Sequence, residues 1–162
     1  MELPKLMKAK TKSSKKKILL LSDDIRLKSG VGTMSRELIK STLDRYDWVQ
    51  LGGALNHPDE GKGPADLAES MRNLGCKAEN IYCKVYPTAG YGDQNRLREL
   101  IKIEEPDAIL HFTDPRFWGW LYAMEHEIRQ TMPLMYLNIW DDLPFPHWNE
   151  NFYESCDLLM AI

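Results

Sequence analysis

The chain has 162 residues, 43% of them hydrophobic, and a formal charge of -3. That suffices for one ordinary core and so for one domain. No stretch approaches the ~20 apolar residues of a membrane span, and the amino-terminal segment lacks the apolar region of a secretory signal.

The charge is unevenly spread. Residues 1–17 hold seven lysines against Glu2, a balance of +6 that leaves -9 for the remainder. A basic leader (1–16) on an acidic body (17–162) argues against a specific nucleic-acid-binding domain, which needs a clustered basic face. The leader reads as a solvated, disordered tail, with contact to RNA or an anionic surface as the other reading.

From Lys17 onward, apolar β-rich runs alternate with helical patterns. The expected strands are Ile18–Ser22, Trp48–Leu51, Ile81–Tyr86, Ala108–Phe112, Leu134–Ile139 and Leu158–Ile162. Several are continuous apolar runs, as strands covered on both faces of a parallel sheet are. The expected helices are Val31–Leu43, Ala65–Leu74, Asp93–Glu105, Arg116–Gln130 and Asn149–Ser155. In the first, Val31, Met34, Leu38, Ile39 and Thr42 make a 3-4 stripe to lie on the sheet. Asp93 can cap the third, and Glu105-Pro106 ends it. This alternation predicts right-handed βαβ units in an α/β, Rossmann-like, mostly parallel sheet of about six strands with helices on both faces.

The stretch from strand one into helix one carries the most chemistry. Lys17–Ser22 runs into Asp23-Asp24 and then Ser29-Gly30-Val31-Gly32 at a helix start. A buried strand, a glycine turn and a helix N-terminus aim backbone N–H groups and the positive dipole end at one spot, which suits a phosphate. A tight turn without a ligand is the other reading, because the third glycine of the dinucleotide fingerprint is missing. The loops at the carboxyl ends of the other strands fall on the same edge: Asn56–Pro64, Thr88–Gly92, Thr113–Arg116 and Trp140–Trp148. In the fourth helical segment Phe117, Trp120, Leu121 and Met124 share one face and read as core, while Trp118 and Tyr122 lie to the side.

Other chemistries find little support. Cys76, Cys83 and Cys156 lack metal-ligand spacing and read as reduced thiols of a cytoplasmic protein. His57, His111, His126 and His147 form no spaced pair, so no metal site is expected. A phosphoreceiver also begins with a strand and an acidic pair, here Asp23-Asp24. Its phosphoacceptor aspartate has no counterpart after Tyr86-Pro87-Thr88, and its lysine none at Trp140-Asp141-Asp142. A dinucleotide oxidoreductase is disfavoured by Ser35 at the third glycine position and by Gln50-Leu51-Gly52-Gly53 in place of an acidic end to strand two. A non-catalytic Rossmann-like interaction module stays open, with Phe117–Tyr122 and Phe145–Trp148 as its interface.

Five pieces stand in an order and spacing that resemble a family: Lys17–Asp24, Ser29–Thr33, Glu105–His111, Pro133–Asn138 and Cys156–Ile162. Together they resemble the N-terminal domain of a GT-B-fold retaining glycosyltransferase, nucleotide-sugar dependent and of the group 1/4 type. The wording is most similar to phage-encoded or environmental members. The resemblance implies the acceptor-side half of an enzyme that moves a sugar, with retention, from a nucleotide-diphosphate donor to an acceptor small molecule, glycan or protein. It implies no cofactor beyond that donor substrate. A C-terminal donor domain would follow the last strand, and this chain alone would be inactive without it. Carried onto this chain, Gly30, Val31 and Gly32 become the loop that approaches the diphosphate. His111 and Asp141 become the catalytic candidates, and Asp114, Arg116 and Trp140 line the acceptor side. His111 stands about one residue out of the family's register, and Trp140-Asp141-Asp142 replaces a common His-Asp pair. His111 could equally be a satisfied strand-end residue, and Trp140 a cleft-wall packing residue.

Overall fold

The computed structural model describes residues 14–54, 63–140 and 143–161. Seven strands form one sheet: β1 (Lys16–Asp23), β2 (Tyr46–Ala54), β3 (Ala65–Asp66), β4 (Cys83–Ala89), β5 (Ala108–Phe112), β6 (Leu134–Asn138) and β7 (Leu158–Ala161). Their spatial order is β3-β4-β2-β1-β5-β6-β7, and every neighbouring pair is parallel except β3–β4. The six parallel strands therefore follow the 3-2-1-4-5-6 order of the Rossmann sheet, not the 2-1-3-4-5 order of receiver-type sheets. Between the strands run α1 (Gly30–Thr42), α2 (Ala68–Asn73), α3 (Gln94–Glu104), α4 (Gly119–Tyr122), α5 (Glu125–Arg129) and α6 (Glu150–Glu154). Among the described residues no helix is long and apolar enough to cross a membrane.

Both faces of the sheet are covered, which explains the unbroken apolar runs. Successive side chains alternate between faces. Leu19, Leu21, Val49, Leu51 and Ile109 join Leu97 and Leu100 of α3, with Trp118, Leu121 and Ile128, on one face. Ile18, Leu20, Val85, Leu110 and Phe112 join Ile39 of α1 and Met71 of α2 on the other.

Two aspartates prolong the parallel ladders in the same way. Asp107, just before β5, accepts the Lys17 N–H at 2.8 Å and donates its own N–H to the Lys17 carbonyl at 2.8 Å. Asp157, just before β7, treats Leu134 identically, at 2.8 Å in both directions. Each carboxylate satisfies a strand-start N–H that would otherwise lack a partner. Lys16, the last residue expected in the leader, is already in β1 and pairs with Asp107 at 2.9 Å.

The departures from expectation have local causes. The helix expected over 65–74 opens instead as β3, and α2 begins only at Ala68. The strand expected at Ile81–Tyr86 lies at Cys83–Ala89 and contains Pro87. A proline is tolerated there because β3 covers only Val85 and Lys84, leaving the Pro87 nitrogen on an open edge. The single helix expected over 116–130 is a 3-10 turn (Pro115–Trp118) followed by α4 and α5. At three residues per turn the 3-10 segment shifts the phase of everything after it. Trp118 and Tyr122, expected to the side, are consequently buried, while Phe117, expected in the core, is 57% exposed. In α1 the expected stripe holds for Ile39, which is buried, and for Val31 and Leu38, which pack partly buried against the same core; Gly32 and Ser35 are buried with them, whereas Met34 is exposed.

Candidate functional site

The strand order reverses between β1 and β5, since the chain moves one way from β1 to β2 and β4 and the other way from β5 to β6 and β7. Ligands of open α/β sheets bind at that switch point, outside the carboxyl ends of the strands. The loops after β1, β4 and β5 meet there.

The loop after β1 is held rigidly from beneath. Gln50, fully buried, donates to Ser22 Oγ at 2.9 Å and to the Asp23 carbonyl at 2.8 Å, and accepts the Ile25 N–H at 3.0 Å. Ser22 Oγ also lies 3.0 Å from Ser35 Oγ, tying the strand end to α1. Asp24 is fully buried and accepts from the Arg26 N–H at 2.8 Å and from its guanidinium at 2.8 and 3.0 Å. A Cβ on Gly52 would come within 2.8 Å of the Asp24 carboxylate, so the glycine in β2 makes room for that ion pair. Asp24 is thereby committed to the fold. Among the described residues no group of three or more His, Cys, Asp or Glu is placed to hold a metal ion.

The glycine loop divides into two parts. Ser29 caps α1: its Oγ accepts the Gly32 N–H at 2.9 Å and donates to Asp23 Oδ2 at 3.0 Å. The Gly32 amide, expected to face a phosphate, is therefore already used. Its Cα packs so closely that a Cβ would stand 2.9 Å from the Asp24 carbonyl and 3.0 Å from that of Leu27. Gly30 is exposed with open space about it, and Val31 follows it half-buried. Of the three expected contributors only Gly30 and Val31 lie at the open first turn, beside the Asp23 carboxylate.

The loop after β5 carries the next two candidates. Asp114 caps the 3-10 turn by accepting the Arg116 N–H at 3.0 Å, and its carboxylate receives the Arg116 guanidinium at 2.5 Å. Those bonds from Arg116 hold the Asp114 carboxyl below its usual range against its partial burial. The pair is self-neutralised. Phe117 stacks on Tyr91 from the loop after β4, with ring centroids 5.3 Å apart and planes 12° from parallel. Tyr91 sits over Gly53, where a Cβ would come to 2.9 Å from its Cδ1. Burial first, then the carboxylates of Asp23 and Asp114, raises the Tyr91 phenol above its ordinary pKa. Asp23, Asp114, Tyr91 and Phe117 thus share one patch, with α1 starting beside it.

His111 lies below this patch, with none of its surface exposed. Its ring is stacked on Tyr136 at 5.1 Å and flanked by Trp118 and Tyr122, whose hydroxyl lies 2.7 Å from Nδ1. Burial pushes its pKa down to about 3, against a small opposing pull from Asp114. The imidazole is neutral at physiological pH and does not face the patch from solvent; Nε2 has no partner among the described residues. Because the folded-state pKa is depressed, the neutral ring costs nothing above the ordinary histidine pKa of 6.5 and destabilises the fold as pH falls from there toward 3. We expect the His111 ring signals in a long-range 15N NMR titration to stay at neutral-tautomer values between pH 8 and pH 5. A mid-range titration would overturn the burial assignment.

Trp140 is half-buried, packed edge-on against Trp148 at 5.5 Å, and donates from Nε1 to the Pro144 carbonyl at 3.3 Å. It lies after β6, one strand beyond β5. Asp141 lies outside the described residues.

Sequence reasoning gave Tyr91 no role beyond its loop, placed Phe117 in the core or in a protein interface, and gave Asp23 a binding role only in the rival phosphoreceiver reading. The available signal was Thr88–Gly92, a tyrosine between two glycines on the loop edge, both with positive φ. No family model matches this chain, and comparisons with curated proteins and with solved structures likewise gave no match.

Proposed function

We propose that this domain is the acceptor-side half of a retaining glycosyltransferase that uses a nucleotide-diphosphate sugar. The observation that carries the reading is the patch at the switch point. There an exposed first turn of α1 stands beside stacked aromatic rings and two carboxylates. The Gly30 and Val31 amides and the dipole of a 13-residue helix offer partial positive charge to a departing diphosphate. Asp23, bonded to Ser29, sets a limit on that role, since a diphosphate must approach on the side of Gly30 away from it. Carboxylates and aromatic faces are the usual partners of sugar hydroxyls and sugar C–H faces. The Gly32 amide, Asp24 and His111 stay with the fold.

The test is to supply the product of the whole coding sequence with a panel of labelled nucleotide sugars and follow release of the nucleoside diphosphate, with chelator present. Release with retained anomeric configuration in the product supports the transferase. No release from any donor, with or without divalent metal, defeats it.

One observation favours a non-catalytic interaction module. Leu143 is 88% exposed, and Phe145 and Trp148 are about half exposed on the same loop, an apolar display that suits a protein contact. A stable protein complex that Leu143→Asp dissolves, in a chain without transferase activity, would establish that reading.

A further inference from the structure

Phe117 is more than half exposed, yet its ring is not loose. It lies flat on Tyr91, which is tilted against the fully buried Trp118 at 5.5 Å and seated over Gly53. Three rings in series thus run from the core to the surface and end in one bare aromatic face. Immobilising an aromatic side chain in advance removes the entropy a ligand would otherwise have to overcome on binding. Beside this face lie the Asp23 carboxylate, bonded to Ser29, and the Asp114 carboxylate, paired with Arg116. The nearby cation, Arg116, is held in a two-point contact by Asp114. A carboxylate at the rim and an arginine already paired disfavour an extended polyanion such as a nucleic acid or an anionic lipid surface. They suit a ligand that presents a flat C–H face to the ring and hydroxyl donors to its rim.

We infer that Phe117, backed by Tyr91, is the stacking platform for a neutral hexopyranose whose hydroxyls donate to Asp114 and Asp23. The inference rests on the transferase reading and deepens it, making the acceptor a neutral glycan. An anionic metabolite, a nucleic acid or an anionic lipid would not suit this face. Tyr91 acts through Phe117 as a positioning residue and need not touch the sugar.

The experiment is saturation-transfer-difference NMR on the full chain with methyl glucoside, methyl galactoside and methyl mannoside, and no nucleotide present. At least one should bind saturably, with transfer strongest at ring C–H protons. Affinity should fall about tenfold in Phe117→Ala and hold in Phe117→Trp, since one stacked ring supplies energy of that order. Tyr91→Ala should weaken binding with an unchanged far-UV circular dichroism spectrum. Absence of saturable binding by all three glycosides, or binding indifferent to Phe117→Ala, overturns the proposal. So does concentration-dependent self-association that Phe117→Ala abolishes, which would make a second copy the occupant. The two readings also fail separately. Glycoside binding with no turnover of any nucleotide sugar defeats the transferase alone, and sugar transfer insensitive to Phe117→Ala defeats the platform alone.

Discussion

Replacing Glu104 by alanine should destabilise the domain by about 3–5 kcal/mol, the cost of removing one partner from a buried charge network. Glu104 closes α3 on the edge of the sheet opposite the patch and is 3% exposed. Its carboxylate accepts the Tyr82 hydroxyl at 2.6 Å, the Tyr86 hydroxyl at 2.5 Å and the Lys17 ammonium at 2.9 Å, with Lys84 3.6 Å away. Both lysines also lie over the Tyr82 ring, at 4.6 and 4.7 Å. Burial opposes ionisation, but the bonds from Tyr82, Tyr86 and Lys17 outweigh it and hold the carboxyl at about 2. A depressed carboxyl contributes stability that is complete above the ordinary value of 4.5 and is lost as pH falls from there to about 2. Denaturant unfolding of the wild type should therefore weaken steeply across that window, by on the order of 3 kcal/mol. In Glu104→Gln the component should vanish, with a smaller loss of about 2 kcal/mol at neutral pH. An unchanged acid limb in the glutamine variant would show that other carboxylates govern acid unfolding.

Fold class was the most legible property because each layer leaves a mark in the linear pattern. Ile18–Leu21 and Ala108–Phe112 are apolar on both sides because helices cover both faces, and that run reads as a parallel strand without any contact being known. Asp93 was readable as a cap because capping is local: its carboxylate accepts the Asn95 and Arg96 amides at 2.8 and 3.0 Å. Elements set by tertiary context were opaque. A two-residue strand such as β3 has no periodicity to detect. The break between the 3-10 turn and α4 is set by Asp114 and Pro115 at the turn's start, which move Trp118 inward and Phe117 outward. One misplaced phase thus exchanged a core residue for the most exposed ring of the patch.

The site was legible as an edge but not as a set of contacts. In a parallel sheet the loops after β1, β4 and β5 all leave from the same edge, so the sequence located the neighbourhood. Which residues face outward depends on distances between segments far apart in the chain. Gly32 looks like a phosphate-loop glycine in the line of residues, whereas folded it is where α1 crosses the Asp24 and Leu27 carbonyls. His111 looks like a catalytic histidine and proves to be enclosed by Trp118, Tyr122 and Tyr136. Asp24 looked like half of an acidic pair and instead neutralises Arg26 inside the loop.

That division of the glycine loop leads to the second large effect, a contrast between substitutions at the two glycines that flank Val31. Gly32→Val should cost about 3 kcal/mol or more, because its Cβ would meet two backbone carbonyls that cannot swing aside. In a domain of this size that lowers the melting temperature by roughly 6–12 °C. Gly30→Val meets nothing within 4 Å, so its melting temperature should stay near that of the wild type. The added isopropyl group nevertheless stands over the open first turn and narrows access to the Gly30 and Val31 amides. If those amides meet the diphosphate, sugar transfer by the whole coding product should drop steeply in Gly30→Val at constant stability. Calorimetry and donor turnover on the same two preparations decide it. Activity that survives Gly30→Val, or stability that falls equally in both variants, would make the loop a strand-to-helix turn and nothing more.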